Sequence, residues 1–432
     1  MTRLIRSTLG ILQTTLNWLA RSPWVAFVLI FSLSFTIRLD ALMSIPSQYL
    51  IPNPNWELSA IAISLMKTGQ FADPYMIPTG PTAHLPPVYP FLFGLVYKLF
   101  GLTSTAGYIS MSIMVVSASV LYASLPWISK RLEIAAQAGV IGGLGGALLV
   151  EWGGHGEFPT AIVLGLLLVA FFQRWDRGNF SIVSSFLLGL AIGASFHLQP
   201  ALLPVILGCM FFELWWSKNR NKWKPSALMI LGILIACIPW GWRNYRTFNA
   251  IFFIRSNLGL ELRMGNHEGA YAAMEVMDQN EEEHLHPASH FSEARKLKEI
   301  GEIAYMNGAL EDALTWIKSN PSEFTRLTGL RILHIWFGPL HNPQIAIVTS
   351  ALTLLAFLGL TFGWKKFSMP QRAIILIPLV TFPLIYYIVA YMPRYRVPID
   401  WIIFMLAGSA IWHWIEKGSK ENKRVQNQRV QP

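Results

Sequence analysis

The sequence predicts an all-α polytopic membrane protein with about ten transmembrane helices. Of its 432 residues, 53% are hydrophobic and only 13% are charged, whereas about a quarter of the residues in a soluble domain are charged. Apolar stretches close to the ~17–25 residues needed to cross a bilayer recur along the chain. The cysteines, Cys209 and Cys237, lie inside apolar stretches, so neither a disulfide framework nor a cysteine metal cluster is expected. This composition excludes a soluble enzyme, a disordered chain and a fibrous protein.

The candidate spans are 22–41, 104–127, 134–152, 158–173, 180–196, 200–217, 226–242, 343–363, 372–391 and 397–415. A further apolar segment, 86–101, opens with two prolines and contains Lys98, and we expect it to lie along the membrane surface without crossing. Before the first span, leucines at helical spacing predict an amphipathic helix over 3–20 on the cytoplasmic face. Glycines four residues apart within the spans, such as Gly142 and Gly146, indicate close helix packing.

The distribution of basic residues fixes the expected orientation. With 86–101 on the surface, alternate loops and both termini fall on one side, which carries 19 basic and 5 acidic residues. The opposite side carries 15 basic and 19 acidic residues. Because cytoplasmic loops are enriched in Lys and Arg, both termini are expected in the cytoplasm. The net charge of +10 is then a topology signal, and no nucleic-acid partner is expected.

Two long hydrophilic segments, 40–103 and 243–341, are expected outside the cytoplasm. In the first, apolar residues at helical spacing after Glu57 predict a helix that Gly69 ends, and a stretch rich in Pro and Gly follows. The second opens with a possible short hairpin and an acidic linker, and its later apolar spacing predicts helices. The chain accordingly divides into an N-terminal transmembrane module, an extracytoplasmic helical segment and a C-terminal transmembrane module with a basic tail: 1–242, 243–341 and 342–432.

Ionisable residues at the outer membrane edge are the candidates for chemistry. Glu57 opens the first outer helix, where a carboxylate by itself offsets the helix dipole. Asp73 precedes a proline, as a turn residue does. Glu157 shares a glycine-containing loop with His155, which is either a solvated loop or a place where the backbone approaches a ligand closely.

A metal site receives little support from the spacing of ligands. Neither the loop 151–157 nor the segment 284–290, which contains three histidines, matches a strong ligand template. The second of these is expected to be a flexible acidic loop. We therefore assign no metal ligands, although a divalent ion is compatible with the chain.

Two arginines lie just outside the last span, against the inside bias of basic residues. Arg394 and Arg396 are either interfacial anchors paired with lipid headgroups or a phosphate site. The second interpretation follows from the planar guanidinium, whose donors match phosphate oxygens.

Four segments of the chain resemble the GT-C membrane glycosyltransferases, closest to the bacterial branch related to protein mannosyltransferases and the lipid A aminoarabinose transferase. They are NWELSAIAISLMKTGQFADPY, TAHLPPVYPFLFGLVYKLFG, RSNLGLELRMGNH and PRYRVPIDWIIFMLAG. An acidic first outer loop, a juxtamembrane helix after two prolines and a basic motif before the last span follow in the order typical of that family. The resemblance extends over most of the chain.

The resemblance implies a transferase in the bacterial inner membrane. It would move a sugar, with inversion, from a polyprenyl-phosphate donor to a glycan, lipid or protein acceptor on the outer face. By position Glu57 would be the general base. Family members often have an acidic pair at the start of this helix, whereas here Asn55 and Trp56 precede a single carboxylate, so Asp40, Asp73 and Glu157 are kept as substitutes.

The resemblance also assigns the binding residues. Arg394 and Arg396 would hold the lipid phosphate, and four residues within the outer loops would contact substrate: His84, His155, Asn266 and Tyr395.

Two other functions stay open. One is a transporter or lipid flippase, which needs ionisable or broken helices at mid-membrane and usually an internal repeat. The other is a scaffold whose segment 243–341 binds a partner.

Overall fold

The computed structural model describes residues 2–149, 156–178, 180–216, 223–277 and 285–430. Within these ranges the chain consists of helices and loops and contains no strand, which confirms the all-α class. The α-helices, numbered in chain order, are α1 Thr2–Arg21, α2 Pro23–Met43, α3 Glu57–Thr68, α4 Val88–Phe100, α5 Ser104–Arg131, α6 Ala136–Leu148, α7 Glu157–Arg177, α8 Ile182–Phe196, α9 Leu203–Trp216, α10 Trp223–Phe248, α11 Leu258–Gly265, α12 Met274–Met277, α13 Phe291–Ile300, α14 Glu302–Ser319, α15 Pro321–Phe337, α16 Pro343–Trp364, α17 Met369–Thr381 and α18 Val397–Val430.

The described residues contain seven helical segments that are long and apolar enough to cross a membrane: Pro23–Met43, Ser104–Arg131, Glu157–Arg177, Trp223–Phe248, Pro343–Trp364, Met369–Tyr387 and Pro393–Lys420. The chain is therefore an all-α membrane protein, but three of the ten expected spans fall short of full length. These three coincide with α6, α8 and α9, which have 13, 15 and 14 residues. A helix of 13 residues is ~20 Å long, which is shorter than the ~30 Å hydrocarbon core.

Contacts between helix ends show which ends share a side of the molecule. Ser419, near the end of α18, hydrogen-bonds to the side chain of Gln13 in α1. At the start of α6, Gln137 donates a hydrogen bond to Asn17 of α1. At the end of α6, three backbone carbonyls accept hydrogen bonds from Arg38, which lies near the far end of α2. Thus α6 runs from the side where α1 and the end of α18 meet to the opposite side.

Glycines let α6 pack at close range against its neighbours. A β-carbon at Gly142 would lie 2.6 Å from the carbonyl oxygen of Phe404 in α18, and one at Gly143 would lie 2.6 Å from that of Tyr122 in α5. No side chain fits at these distances, so the backbones touch directly. The close packing expected from the glycine spacing is therefore present.

The short helix α4 has the character expected of a surface helix. Phe91, Leu95 and Leu99 recur at helical spacing along one exposed face. The opposite face, which includes Phe93 and Tyr97, is buried against α3 and α5. A helix with one face on protein and one exposed apolar face suits the boundary between lipid and water.

The two long hydrophilic segments, 40–103 and 243–341, pack on each other through a buried carboxylate. Glu302, the first residue of α14, accepts hydrogen bonds from the amide of Ala83 at 2.8 Å and from the hydroxyl of Ser256 at 2.6 Å. The amide of Met76 donates to the carbonyl of Pro287. The loops 69–87 and 285–290 are thereby held against each other.

The hairpin suggested for the start of the second outer segment is wrong, because the chain forms α11 there. A β-carbon at Gly259 would lie 2.0 Å from the carbonyl oxygen of Met306 in α14. This glycine allows two helices to make a close contact that buries Leu260 and Met264. Burial against α14 thus decides the structure of a segment whose local pattern is ambiguous.

Candidate functional site

A carboxylate between two imidazoles forms the centre of the candidate site. Oε1 of Glu57 lies 2.9 Å from Nε2 of His84 and 3.2 Å from Nε2 of His286. The three residues come from the start of α3, the loop before α4 and the loop before α13. His84 is 1% exposed, whereas 26% of the Glu57 side chain is exposed. The Glu57 side chain is therefore partly exposed, and a buried histidine contacts its carboxylate.

The local fold sets the position of Glu57. Trp56 is extended, and α3 begins at Glu57, so the carboxylate lies at the helix end where free backbone amides favour negative charge. A hydrogen bond of 3.0 Å between the hydroxyls of Ser59 and Tyr97 ties the first turn of α3 to α4. The acid is therefore carried by a helix that is anchored beside the surface helix.

Hydrogen bonds behind the imidazoles orient both rings. Nδ1 of His84 lies 3.1 Å from the hydroxyl of Tyr75, and the carbonyl of His84 accepts a hydrogen bond from Nε of Arg255 at 2.8 Å. Nδ1 of His286 accepts from the amide of Ala288 at 3.1 Å. A neutral imidazole whose Nδ1 accepts carries its proton on Nε2, so His286 donates to Glu57.

Opposing effects determine the pKa values of this pair. Burial raises the pKa of a carboxyl group, but His84, His286 and Arg255 outweigh it and hold the pKa of Glu57 well below its usual range. Burial also lowers the pKa of His84, and the adjacent Glu57 carboxylate more than offsets this, so that the pKa of His84 is raised. Glu57 is therefore ionised at physiological pH and is a weak proton acceptor.

The same three side chains can hold a divalent metal ion. Their ligand atoms lie within 4.8 Å of one another, and two histidines with one glutamate form the ligand set of several catalytic zinc sites, which leave a fourth position open. If Nε2 of His286 coordinates a metal, the ring carries its proton on Nδ1. Nδ1 can then no longer accept the hydrogen bond from the amide of Ala288, so this bond would have to break. Of the neighbouring histidines, His290 bonds to Ser292 at 2.8 Å, and His284 lies outside the described residues.

Zinc binding is the expected result for the purified full-length protein, at about one ion per chain. H84Q should lose this ion, because it removes one of three ligands. H290Q is the matched control, since this histidine lies near the same loop without touching Glu57. Metal content after chelation and reloading, measured by mass spectrometry, checks the expectation. If H84Q binds as much zinc as the wild type, the three residues form hydrogen bonds with one another but do not bind zinc.

Two arginines bring positive charge to the same site. Nε of Arg394 lies 3.5 Å from Oε1 of Glu157, and Nη2 of Arg255 lies 3.7 Å from Oε1 of Glu261. Arg394 also interacts electrostatically with Glu57 and Glu261. Its side chain is 44% exposed, so its donors are accessible. We call the seven residues the charged cluster: Glu57, His84, Glu157, Arg255, Glu261, His286 and Arg394.

An aromatic pair adjoins the charged cluster. Tyr395 stacks on Tyr386 with ring centroids 4.4 Å apart and planes inclined by 25°. Both rings interact electrostatically with Glu157, Glu261 and Arg255. The structure thus brings Tyr395, expected to contact substrate, to the cluster. Because Tyr386 is buried, the partly exposed ring of Tyr395 is the one that a sugar can contact.

Arg396 is committed to structural contacts, unlike Arg394. It is buried, and its Nε donates to Asp400 at 2.5 Å while Nη1 donates to Thr353 and to the carbonyl of Ile335. Both arginines belong to the 3-10 helix Pro393–Arg396, in which residues two apart point roughly 120° away from each other. The structure therefore brings only Arg394 of the expected arginine pair to the charged cluster.

Two further expected site residues have structural partners. Asp73 accepts a hydrogen bond from the amide of Gly80 at 2.8 Å and adopts a positive φ of 59°, so it stabilises a turn. Asn266 is buried and joins Arg331 to backbone carbonyls. The structure brings neither side chain to the charged cluster. His155 lies outside the described residues.

Three members of the charged cluster are not among the expected site residues: Arg255, Glu261 and His286. Arg255 and Glu261 belong to a segment noted only for its resemblance, RSNLGLELRMGNH. Its three charged residues among apolar ones, Arg255, Glu261 and Arg263, were the available signal. His286 lies in a loop predicted to be flexible, and no local pattern connects it with Glu57.

The assignment of a function rests on this geometry. Comparison of the chain with protein-family models, with curated proteins and with solved structures found no match.

Proposed function

We propose that the chain is an integral membrane glycosyltransferase that moves a sugar from a polyprenyl-phosphate donor to an acceptor on the extracytoplasmic face. The observation that carries this proposal is the approach of Arg394 to Glu157 at 3.5 Å, together with the electrostatic effect of Glu57 on Arg394, because these residues are far apart in the sequence. Transfer from a phosphate needs a proton acceptor, positive charge for the leaving group and a surface for the sugar. The cluster and its tyrosine pair offer all three.

We propose that the chain crosses a bacterial inner membrane ten times, with both termini in the cytoplasm. The packing of α1 against α18 near Ser419 supports an even number of crossings, which seven spans would not give. Adding α6, α8 and α9 gives ten. The side chains of Arg174 and Glu213 form an ion pair at 2.8 Å that joins the ends of α7 and α9. These two helices therefore end on the same side, as they do if α8 crosses between them. The charged cluster then lies on the outer side beside α4, where a prenyl chain can enter from the bilayer.

Arg394 and Arg255 are the groups that we assign to the donor phosphate. Their distances to Glu157 and Glu261, 3.5 and 3.7 Å, exceed those of hydrogen bonds, so both guanidiniums retain donors for phosphate oxygens. As the bond between sugar and phosphate breaks, negative charge grows on the leaving oxygen. Positive charge already held in place stabilises that oxygen without further reorganisation.

We assign proton acceptance to Glu157 and an organising role to Glu57. Glu57 already receives two imidazole contacts and has a depressed pKa, so it is poorly matched to a general base. Glu157 has one ion contact, at 3.5 Å. The acceptor hydroxyl would give its proton to Glu157 as its oxygen bonds to the anomeric carbon. The bond to phosphate breaks on the opposite face, which inverts the anomeric centre and releases polyprenyl phosphate.

E157Q should lower transfer about 10²–10⁴-fold, the usual contribution of a general base. Its metal content should match the wild type, because Glu157 is not one of the three candidate ligands. The assay is product formation from a panel of polyprenyl-phosphate hexoses and pentoses by the full-length protein in nanodiscs. E133Q is the control, since Glu133 is exposed in the loop after α5. Wild-type transfer by E157Q would remove Glu157 as the base.

A further inference from the structure

We infer that a cavity in the segment 243–341 binds a carbohydrate portion of the acceptor; this role rests on the proposed function. The cavity has a volume of about 330 Å³, and its lining includes Arg263, His267, Glu268, Leu285, Asp312 and Trp316. This volume is at the small end of the ~300–1,000 Å³ range of ligand pockets. It suits a single sugar residue of a longer chain. The charged cluster contributes no residue to this lining, so the cavity is a separate feature of the fold.

The lining has the chemistry that recognises a neutral sugar. The indole of Trp316 is held by a contact of 3.4 Å from its Nε1 to Oε2 of Glu268, so an aromatic face is fixed in the wall. Asp312 has 60% of its side chain exposed, and its one ion contact, from Oδ2 to Nη1 of Arg263, is 3.6 Å long, so its carboxylate can still accept hydrogen bonds. A sugar offers an apolar face of C–H groups to an aromatic ring and hydroxyl donors to carboxylates.

The charge balance disfavours an anionic ligand in this cavity. Arg263 is the strongest cation in the wall, but it already donates to Glu293 at 2.6 Å and to the hydroxyl of Tyr305 at 2.5 Å. Glu268 and Asp312 would repel a phosphate or a carboxylate. The lipid-phosphate donor therefore has no place here, whereas an uncharged acceptor does.

The cavity and the charged cluster share one short stretch of chain. The carbonyl of Leu285 accepts a hydrogen bond from Arg263 at 3.2 Å, and Leu285 lines the cavity. The next residue, His286, reaches Glu57. The lining of the cavity and the contacts of Glu57 thus meet in two consecutive residues. We therefore assign the cavity to the part of an acceptor that adjoins the attacked hydroxyl.

The test uses W316A and D312N in the full-length protein in nanodiscs. Because the cavity binds acceptor and not donor, each variant should raise the acceptor KM about tenfold, the effect of losing one good contact, with kcat and donor hydrolysis unchanged. W223A and D176N are the matched controls. Both side chains are exposed and neither lines the cavity: Trp223 begins α10, and Asp176 lies near the end of α7. D312N changes an exposed side chain, so it remains informative if W316A folds poorly. An acceptor KM within twofold of the wild type in D312N and in folded W316A would overturn the inference.

A binding measurement separates this inference from the proposed function. An array of mono- to tetrasaccharides should retain the wild-type protein without donor and should lose it in W316A and D312N. Array binding that depends on these residues, in a protein that makes no product from any donor of the panel, would support the cavity and refute the transferase. Product formation with no array binding and an unchanged KM in both variants would support the transferase and refute the cavity.

Discussion

E57Q should reduce sugar transfer about 10³-fold, comparable to the loss of a charged group that organises a transition state. A neutral amide cannot attract two imidazoles as a carboxylate does, so His84 and His286 would lose their common partner. The candidate metal site would lose a charged ligand at the same time. Product formation in nanodiscs, at equal protein level, provides the measurement. E299Q is a suitable control, because Glu299 is an exposed carboxylate of the outer segment that pairs with Arg295.

A double variant separates an organising role for Glu57 from proton transfer. If Glu57 acts through the histidines, E57Q/H84Q should transfer sugar as slowly as E57Q alone, because residues that act as a unit are not additive. E157Q combined with E57Q should be slower than either. Transfer at the wild-type rate by E57Q would contradict the account of the site.

R394Q should lower transfer about 10²–10³-fold, since one of two cations assigned to the leaving phosphate is removed. R394K should restore part of the loss, because it keeps the charge but not the planar fork of donors. The thermal stability of both variants should stay close to that of the wild type, since the Arg394 side chain is 44% exposed. Transfer rates and unfolding temperatures measured on the same preparations check both expectations.

R396Q is the matched control for Arg394, and its expected result is the reverse. It leaves Asp400 buried without its partner, which costs about 3–5 kcal/mol of stability. The unfolding temperature should fall, and the protein that remains folded should bind donor normally. A large loss of transfer in R396Q, with unchanged stability, would mean that the assignment of the two arginines is reversed.

The overall class was predictable because hydropathy is a local property. A stretch of about 20 apolar residues identifies a span whatever its neighbours are, and all seven long helices coincide with expected spans. The short lengths of α6, α8 and α9 could not be predicted from hydropathy. Gly142 and Gly143 bring α6 against other helices, and Arg38 satisfies carbonyls at its end. Contacts of this kind surround a helix of only 13 residues, and they depend on residues far away in the sequence.

The site was predictable only where local structure determines its residues. Glu57 was found because an acid at the start of an outer helix is visible in the sequence. Its partner His286 was missed, because a separation of more than 200 residues leaves no periodic signal. The sequence does not distinguish Arg394 from Arg396. In the structure, the 3-10 helix that contains both residues leaves Arg394 exposed and buries Arg396. Packing between distant parts of the chain determines both the pairing of His286 with Glu57 and the burial of Arg396, and a local sequence pattern does not contain this information.

Electron cryomicroscopy of the full-length protein in nanodiscs with bound polyprenyl phosphate tests the central claim most directly. We expect the phosphate within hydrogen-bond distance of Arg394 and Arg255, on the same exposed surface as Glu57 and Glu157, with the prenyl chain leaving along α4 into the bilayer. A phosphate bound elsewhere, or Glu57 and Arg394 on surfaces that share no solvent-accessible space, would contradict the proposed transferase.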